Sequence, residues 1–81
     1  MQTTDAPMMT NHNNENVFTE ALAVAVAYRK KYGTVNAMER LRDRQLALAP
    51  NVKHSIGSRF AYVVAADAAK ILLCEYAMFG K

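Results

Sequence analysis

Apolar residues recur at helical spacing in three stretches of this chain, separated by residues that break helices. In the first stretch Val17, Phe18, Ala21, Leu22, Val24, Ala25 and Tyr28 mark one wide face, with Ala23 and Ala27 on the other side beside Glu20. This spacing predicts a helix from about Glu15 to Tyr32. Asn14 or Asn16 is placed to cap its start by accepting from free backbone amides. Gly33 is the natural stop, because glycine adopts left-handed geometry at little cost.

The second stretch is narrower. Met38, Leu41, Gln45 and Leu48 form its stripe, and the helix is expected to begin at Thr34 or Asn36. Asn36 and Glu39 stand three apart, the spacing of a capping box. Pro50 is expected to end the helix by pushing Ala49 out of helical geometry. As the most charged and least apolar element, this helix belongs at the edge of a bundle.

After the loop PNVKHSIGS, the segment RFAYVVAADAAKILLCEYAMFG reads as the longest helix, capped by Ser55 or Ser58 and ended by Gly80. On a helical projection Arg59, Asp67 and Lys70 share one side, while Ala61, Val64, Ala65, Ala68, Leu72, Tyr76 and Phe79 fall opposite. Phe60, Tyr62, Ile71 and Leu73 on the flanks are apolar too. Such a helix wants cover on nearly every side, and the close spacing of alanines lets another backbone approach. A shared interface between copies of the chain is therefore expected through Ala61, Ala65, Ala68, Leu72, Tyr76 and Phe79.

These elements predict an all-α fold: a small three-helix domain, made of a helical hairpin plus a long C-terminal helix, and oligomeric as a homodimer or larger assembly. VAVAY and YVVAA are the runs most open to a strand reading, since short valine-rich segments suit sheets. Residues 1–14, MQTTDAPMMTNHNN, carry no apolar period and are expected to form a flexible polar tail, mobile or ordered by a partner. Met8 and Met9 mark either an alternative start or a small apolar anchor. Residues 15–81 are then the single helical domain.

Composition sharpens the expectation of self-association. A domain of roughly 65 folding residues buries only about 60% of its unfolded surface and is held by roughly 3–5 kcal/mol. Small domains supplement that with disulfides, metals or partners. Cys74 is the lone cysteine among 81 residues, so no intrachain disulfide can form, and association is the supplement left. A lone thiol also fits a reducing, cytoplasmic setting. The N-terminus has neither the basic and apolar regions of a secretory signal nor the arginines of a presequence. Phe60 to Phe79 is long and apolar, but Asp67, Lys70 and Glu75 would be costly in lipid, so no membrane partner is expected.

Charge changes the picture of function. The net charge is +3, but it is concentrated in the middle of the chain. Residues 1–28 carry Asp5, Glu15 and Glu20 and no Lys or Arg. Residues 29–59 carry eight basic residues against Glu39 and Asp43. An anionic partner would be met there. Arg40 and Arg44 lie one turn apart on the same edge of the second helix, with Arg42 pointing away. With Arg29, Lys30, Lys31 and Tyr32 they form the candidate partner-binding face. Tyr28 and Tyr32, one turn apart, are placed to stack or to anchor an interface.

A helix-turn-helix reader of DNA does not fit this stretch. Its tight and apolar positions would fall on Arg29, Glu39 and Arg42, three charged residues where the motif must pack. Arg29, Lys30 and Lys31 also have an ordinary reason to stand where they do. Positive charge in the last turn offsets the helix dipole, for about 0.3–1 kcal/mol.

Other chemistry is thin. His54, Ser55 and Ser58 are neighbours in sequence without a converging acid, so nucleophilic catalysis is not expected. KHSIGSR offers a possible anion-binding start of a helix through Ser55, Ser58 and Arg59, with plain capping as the simpler reading. His12, His54 and Cys74 lack ligand spacing, so neither metal nor cofactor is expected. The function expected is non-enzymatic: a small regulatory or inhibitory protein, of the kind carried by phages and mobile elements, that binds a larger macromolecule through its basic helical face. The alternative is a nucleic-acid-binding regulator contacting phosphates through the basic residues of 29–59.

Overall fold

The computed structural model describes residues 5–80, with side chains from Asn16 onward. It contains α1 (Asp5–Tyr32), α2 (Thr34–Leu48), a short 3-10 turn (Ala49–Asn51) and α3 (Ile56–Phe79). The fold is all-α, a three-helix domain in which VAVAY and YVVAA are both helical. The expectations for Met8, Met9 and the His12 side chain lie outside the described side chains.

Helix α1 begins ten residues before the Glu15 start that periodicity suggests. Pro7 does not prevent this, because it falls in the first turn, where its missing amide would have had no helical partner. Apolar spacing cannot report helical turns whose few apolar residues, Ala6, Met8 and Met9, do not recur at helical spacing.

A single residue, Gly33, joins α1 to α2. Its amide donates to the Arg29 carbonyl at 2.9 Å and its carbonyl accepts from the Ala37 amide at 2.8 Å. One residue thus ends the first helix and starts the second. Its φ of 83° and ψ of 162° fall in a region open essentially to glycine alone, distinct from the left-handed helical geometry expected there. Helix α2 therefore begins at Thr34 and carries no side-chain cap. The Asn36–Glu39 capping box does not form, because Asn36 already lies within the first turn.

Leu48 closes α2, as Pro50 suggests, but for a different reason. Ala49 keeps helical dihedrals, φ −52° and ψ −43°, so it is not pushed out of the helical region. Pro50 has no amide to continue the ladder, and the chain tightens into the 3-10 turn instead. Ser55 then caps α3 in extended geometry, its hydroxyl oxygen accepting from the Ser58 amide at 3.1 Å. Gly80 ends α3 in left-handed geometry, φ 71°, donating to the Tyr76 carbonyl at 2.8 Å.

The core lies where α3 packs against both other helices. It consists of Ala21 and Ala25 of α1, Ala37 and Leu41 of α2, and Val64, Ala65, Ala68 and Leu72 of α3. Five of these eight are alanines, so the helices meet by close backbone approach more than by interlocking bulk. Leu41 and Leu72 are the largest fully buried side chains. Val17, Val24, Tyr28, Tyr32, Met38, Ala69 and Ile71 pack around them, half-buried.

Small residues inside leave large ones outside. Phe18 and Leu22, expected on the inner face of α1, are exposed, as are Leu46, Ile56, Leu73, Met78 and Phe79. The expected interface between copies is divided by the same packing. Ala65, Ala68 and Leu72 are buried against α1 and α2 of their own chain, so no second copy can touch them. Ala61 is half-buried, and Tyr76 and Phe79 are exposed. Among the described residues no helix is long and apolar enough to cross a membrane.

Candidate functional site

The one-residue turn at Gly33 folds α2 back toward the last turns of α1, which brings the tyrosines of one helix against the arginines of the other. Tyr28 and Tyr32, four apart on α1, point the same way, with ring centroids 5.6 Å apart and planes tilted by 58°. Arg40 and Arg44, four apart on α2, face them. The Arg40 guanidinium carbon lies 4.2 Å from the Tyr32 ring centroid, and the Lys31 ammonium approaches the same ring at 5.4 Å. Each cation gains from the negative face of the ring, by about 0.5–1 kcal/mol at an exposed site.

These side chains line a shallow cleft of about 340 Å³ formed by Tyr28, Tyr32, Arg40, Asp43, Arg44, Ala47 and Leu48. Asp43 shares the cleft because it stands three after Arg40 on the same side of the helix. A second hollow of about 340 Å³ adjoins it, sharing Tyr28 and Arg44 and continuing between Val24 of α1 and Phe60, Ala61, Val64 and Ala65 of α3, with Glu20 at its rim. A polar mouth with an apolar floor suits a partner that presents negative charge beside a hydrophobic side chain.

The six residues expected to share one basic face do not all do so. Tyr32, Arg40 and Arg44 line the α1/α2 cleft, and Lys31 reaches the Tyr32 ring without lining the cleft. Arg29 turns the other way and donates to a Glu75 carboxylate oxygen at 2.6 Å, tying the end of α1 to α3. Lys30 lies on the outer side of α1, exposed. Arg42 departs from Arg40 and Arg44, as the projection requires, and lines a different hollow with Met38, Gln45, Ala66, Ala69, Lys70 and Leu73.

Two participants escape a reading by composition alone. Asp43 was recognisable from its three-residue offset to Arg40. The pairing of Arg29 with Glu75, 46 residues away, leaves no local signature, since it depends on how α1 and α3 dock. At the start of α3, the Ser55 hydroxyl is taken up by the Ser58 amide, which is a helix cap and gives no separate sign of a bound anion. His54 and Cys74 are exposed. No group of three metal-binding side chains occurs among the described residues. No family model, curated protein or solved structure matches this chain.

Proposed function

We propose that this protein acts by binding, without catalysis, as a regulatory or inhibitory module that engages an acidic segment of a larger protein at the α1/α2 cleft. The observation that carries the reading is the convergence of Arg40 and Lys31 on the Tyr32 ring, with Tyr28 and Arg44 beside them. Among the described residues none of these three cations is in an ion pair, since the one pair found is Arg29–Glu75. Their charge is therefore available to a partner. Tyrosine and arginine are also enriched among the side chains that dominate interface energetics, because each joins a large contact area to hydrogen-bonding groups. Asp43 within the cleft favours discrete carboxylates, which can avoid it, over an unbroken run of phosphates.

A second reading rests on the same rings. Tyrosine faces beside cations also hold single-stranded nucleic acid, the bases stacking and the phosphates pairing. Copies of the chain are further proposed to associate with one another, supported by the large apolar side chains that α3 leaves exposed.

The test compares the wild-type chain with the double variant Arg40→Ala, Arg44→Ala in capture from an extract of its native cell, with both protein and nucleic acid detected. A partner held by the wild type and lost by the variant supports the cleft. A partner held equally by both overturns it. Titration of an oligonucleotide against salt separates the two readings, because phosphate-borne affinity falls steeply and linearly on logarithmic axes.

A further inference from the structure

One side of α3 carries Ile56, Phe60, Val63, Asp67, Lys70, Cys74 and Ala77, spaced alternately four and three; its Phe60 edge borders the hollow shared with α1, and its Lys70 edge the hollow shared with α2. That spacing is the seam of a two-helix coiled coil. Ile56, Phe60 and Val63 are exposed, as are Lys70, Cys74 and Ala77, and Asp67 is half-exposed. Three consecutive large apolar positions along one helical seam, Ile56 84%, Phe60 39% and Val63 38% exposed, are what a packed surface looks like without its cover. The two central charges are notable in a different way: among the described residues neither Asp67 nor Lys70 is in an ion pair within the chain.

We infer that this seam is covered by the α3 seam of a second copy lying antiparallel to it, in a register fixed by reciprocal Asp67–Lys70 pairs. The charges choose both occupant and direction. A parallel copy in register would set Asp67 against Asp67 and Lys70 against Lys70, two repulsive contacts in a seam. An antiparallel copy brings each charge against its opposite, twice, about a two-fold axis between residues 68 and 69. In that register Val63 faces Cys74 of the partner copy, and Phe60 faces Ala77 of the partner copy, a large side chain against a small one, while Ile56 falls past the end of the partner copy's α3. A two-fold contact of this kind is self-complementary and closes at a dimer. Polar groups in an otherwise apolar seam cost some stability and fix register and orientation in return.

The proposal locates the self-association already proposed, and does so on a side of α3 different from Ala65, Ala68 and Leu72. It leaves the α1/α2 cleft itself free and takes only Phe60 from the adjoining hollow. The thiols report direction independently. In the antiparallel register the two Cys74 residues are separated by about 16 Å along the axis, at 1.5 Å per residue, too far to join.

The decisive experiment is charge reversal followed by mixing, with mass followed by sedimentation of the full chain and helix content by circular dichroism. Asp67→Lys and Lys70→Asp should each be helical and monomeric at concentrations where the wild type is a dimer, their dimer dissociation constants raised at least tenfold. An equal mixture of the two should recover the dimer, as a one-to-one heterodimer with both pairs attractive. Dimers that survive single reversal, or monomers that persist on mixing, overturn the seam. A wild type that stays monomeric at all concentrations overturns self-association itself, whereas a wild-type dimer indifferent to reversal overturns only this surface.

A crosslink tests the register even if a reversed variant fails to fold. Under mild oxidation Val63→Cys should join its new thiol to Cys74 of the partner copy and give a covalent dimer. The wild type should give none. A wild-type covalent dimer forming as fast as the variant's would mean Cys74 beside Cys74, and would overturn the antiparallel assignment.

Discussion

Leu72→Ala is the substitution to which this fold should be most sensitive. Leu72 is fully buried and, with Leu41, one of the two largest side chains that are among the described residues. Replacing it removes three carbon groups, a transfer loss of about 2.4 kcal/mol at about 0.8 kcal/mol each. A cavity cost is added wherever the surroundings cannot close in. Here they cannot close easily, because Ala21, Ala25, Ala37, Ala65 and Ala68 make up most of the rest of the core and alanine has no rotamer with which to fill a hole. The total should therefore lie in the upper part of the usual range, about 3–5 kcal/mol. A chain this short is held by roughly the same amount, so the variant should be largely unfolded at room temperature. Leu72→Met conserves volume and should cost less than about 1.5 kcal/mol, leaving a cooperative urea transition by far-ultraviolet circular dichroism. Phe79→Ala, at a side chain 69% exposed, should shift that transition by less than about 0.5 kcal/mol. An alanine at position 72 that keeps a sharp transition, with a loss of under about 1 kcal/mol, would refute the claim that a thin, alanine-rich core holds this protein together.

Two further substitutions test the helix junctions. Gly33→Ala should destabilise the fold by about 1–3 kcal/mol through backbone strain; an added Cβ would meet nothing within 4 Å, so a null effect in urea denaturation would mean that the linker adopts another geometry. Ser55→Ala removes the hydroxyl that accepts from the Ser58 amide and should cost about 0.5–2 kcal/mol, while Ser55→Asp should restore most of it; equal losses in both would discount the cap.

The ends of the elements were largely legible because glycine, serine and proline act locally. Gly33, Ser55 and Gly80 punctuate the helices where their conformational preferences allow, and Leu48 closes α2 ahead of Pro50. The start of α1 is not legible, since Ala6, Met8 and Met9 set up no helical period with the apolar residues from Val17 onward. Within the apolar face of α1, Phe18 and Leu22 are exposed while Ala21 and Ala25 take the centre. Hydrophobicity ranks what a residue gains by burial, but the approach of two backbones favours the smallest side chain. On α3 the inner row of Ala61, Val64, Ala65, Ala68 and Leu72 was readable from the projection, while the identity of its cover was not, because α1, α2 and another copy all offer apolar surface.

At the candidate site the split of the basic residues follows the same division between local and distant. The opposition of Arg40 and Arg44 to Arg42 is a property of one helix, fixed by its turn, and was readable. The diversion of Arg29 to Glu75 depends on the docking of two helices far apart in sequence, and only the folded arrangement shows it.

A connection of one residue between α1 and α2 leaves almost no slack. The tyrosine wall and the arginine wall of the cleft are set on two rods joined through one residue and both packed on α3, and the stacking of Arg40 on Tyr32 braces them a short distance from the joint. Such jaws hold a preset width. A ligand that fits them loses little to rearranging its host, whereas one slightly too thick must break the brace before it can enter.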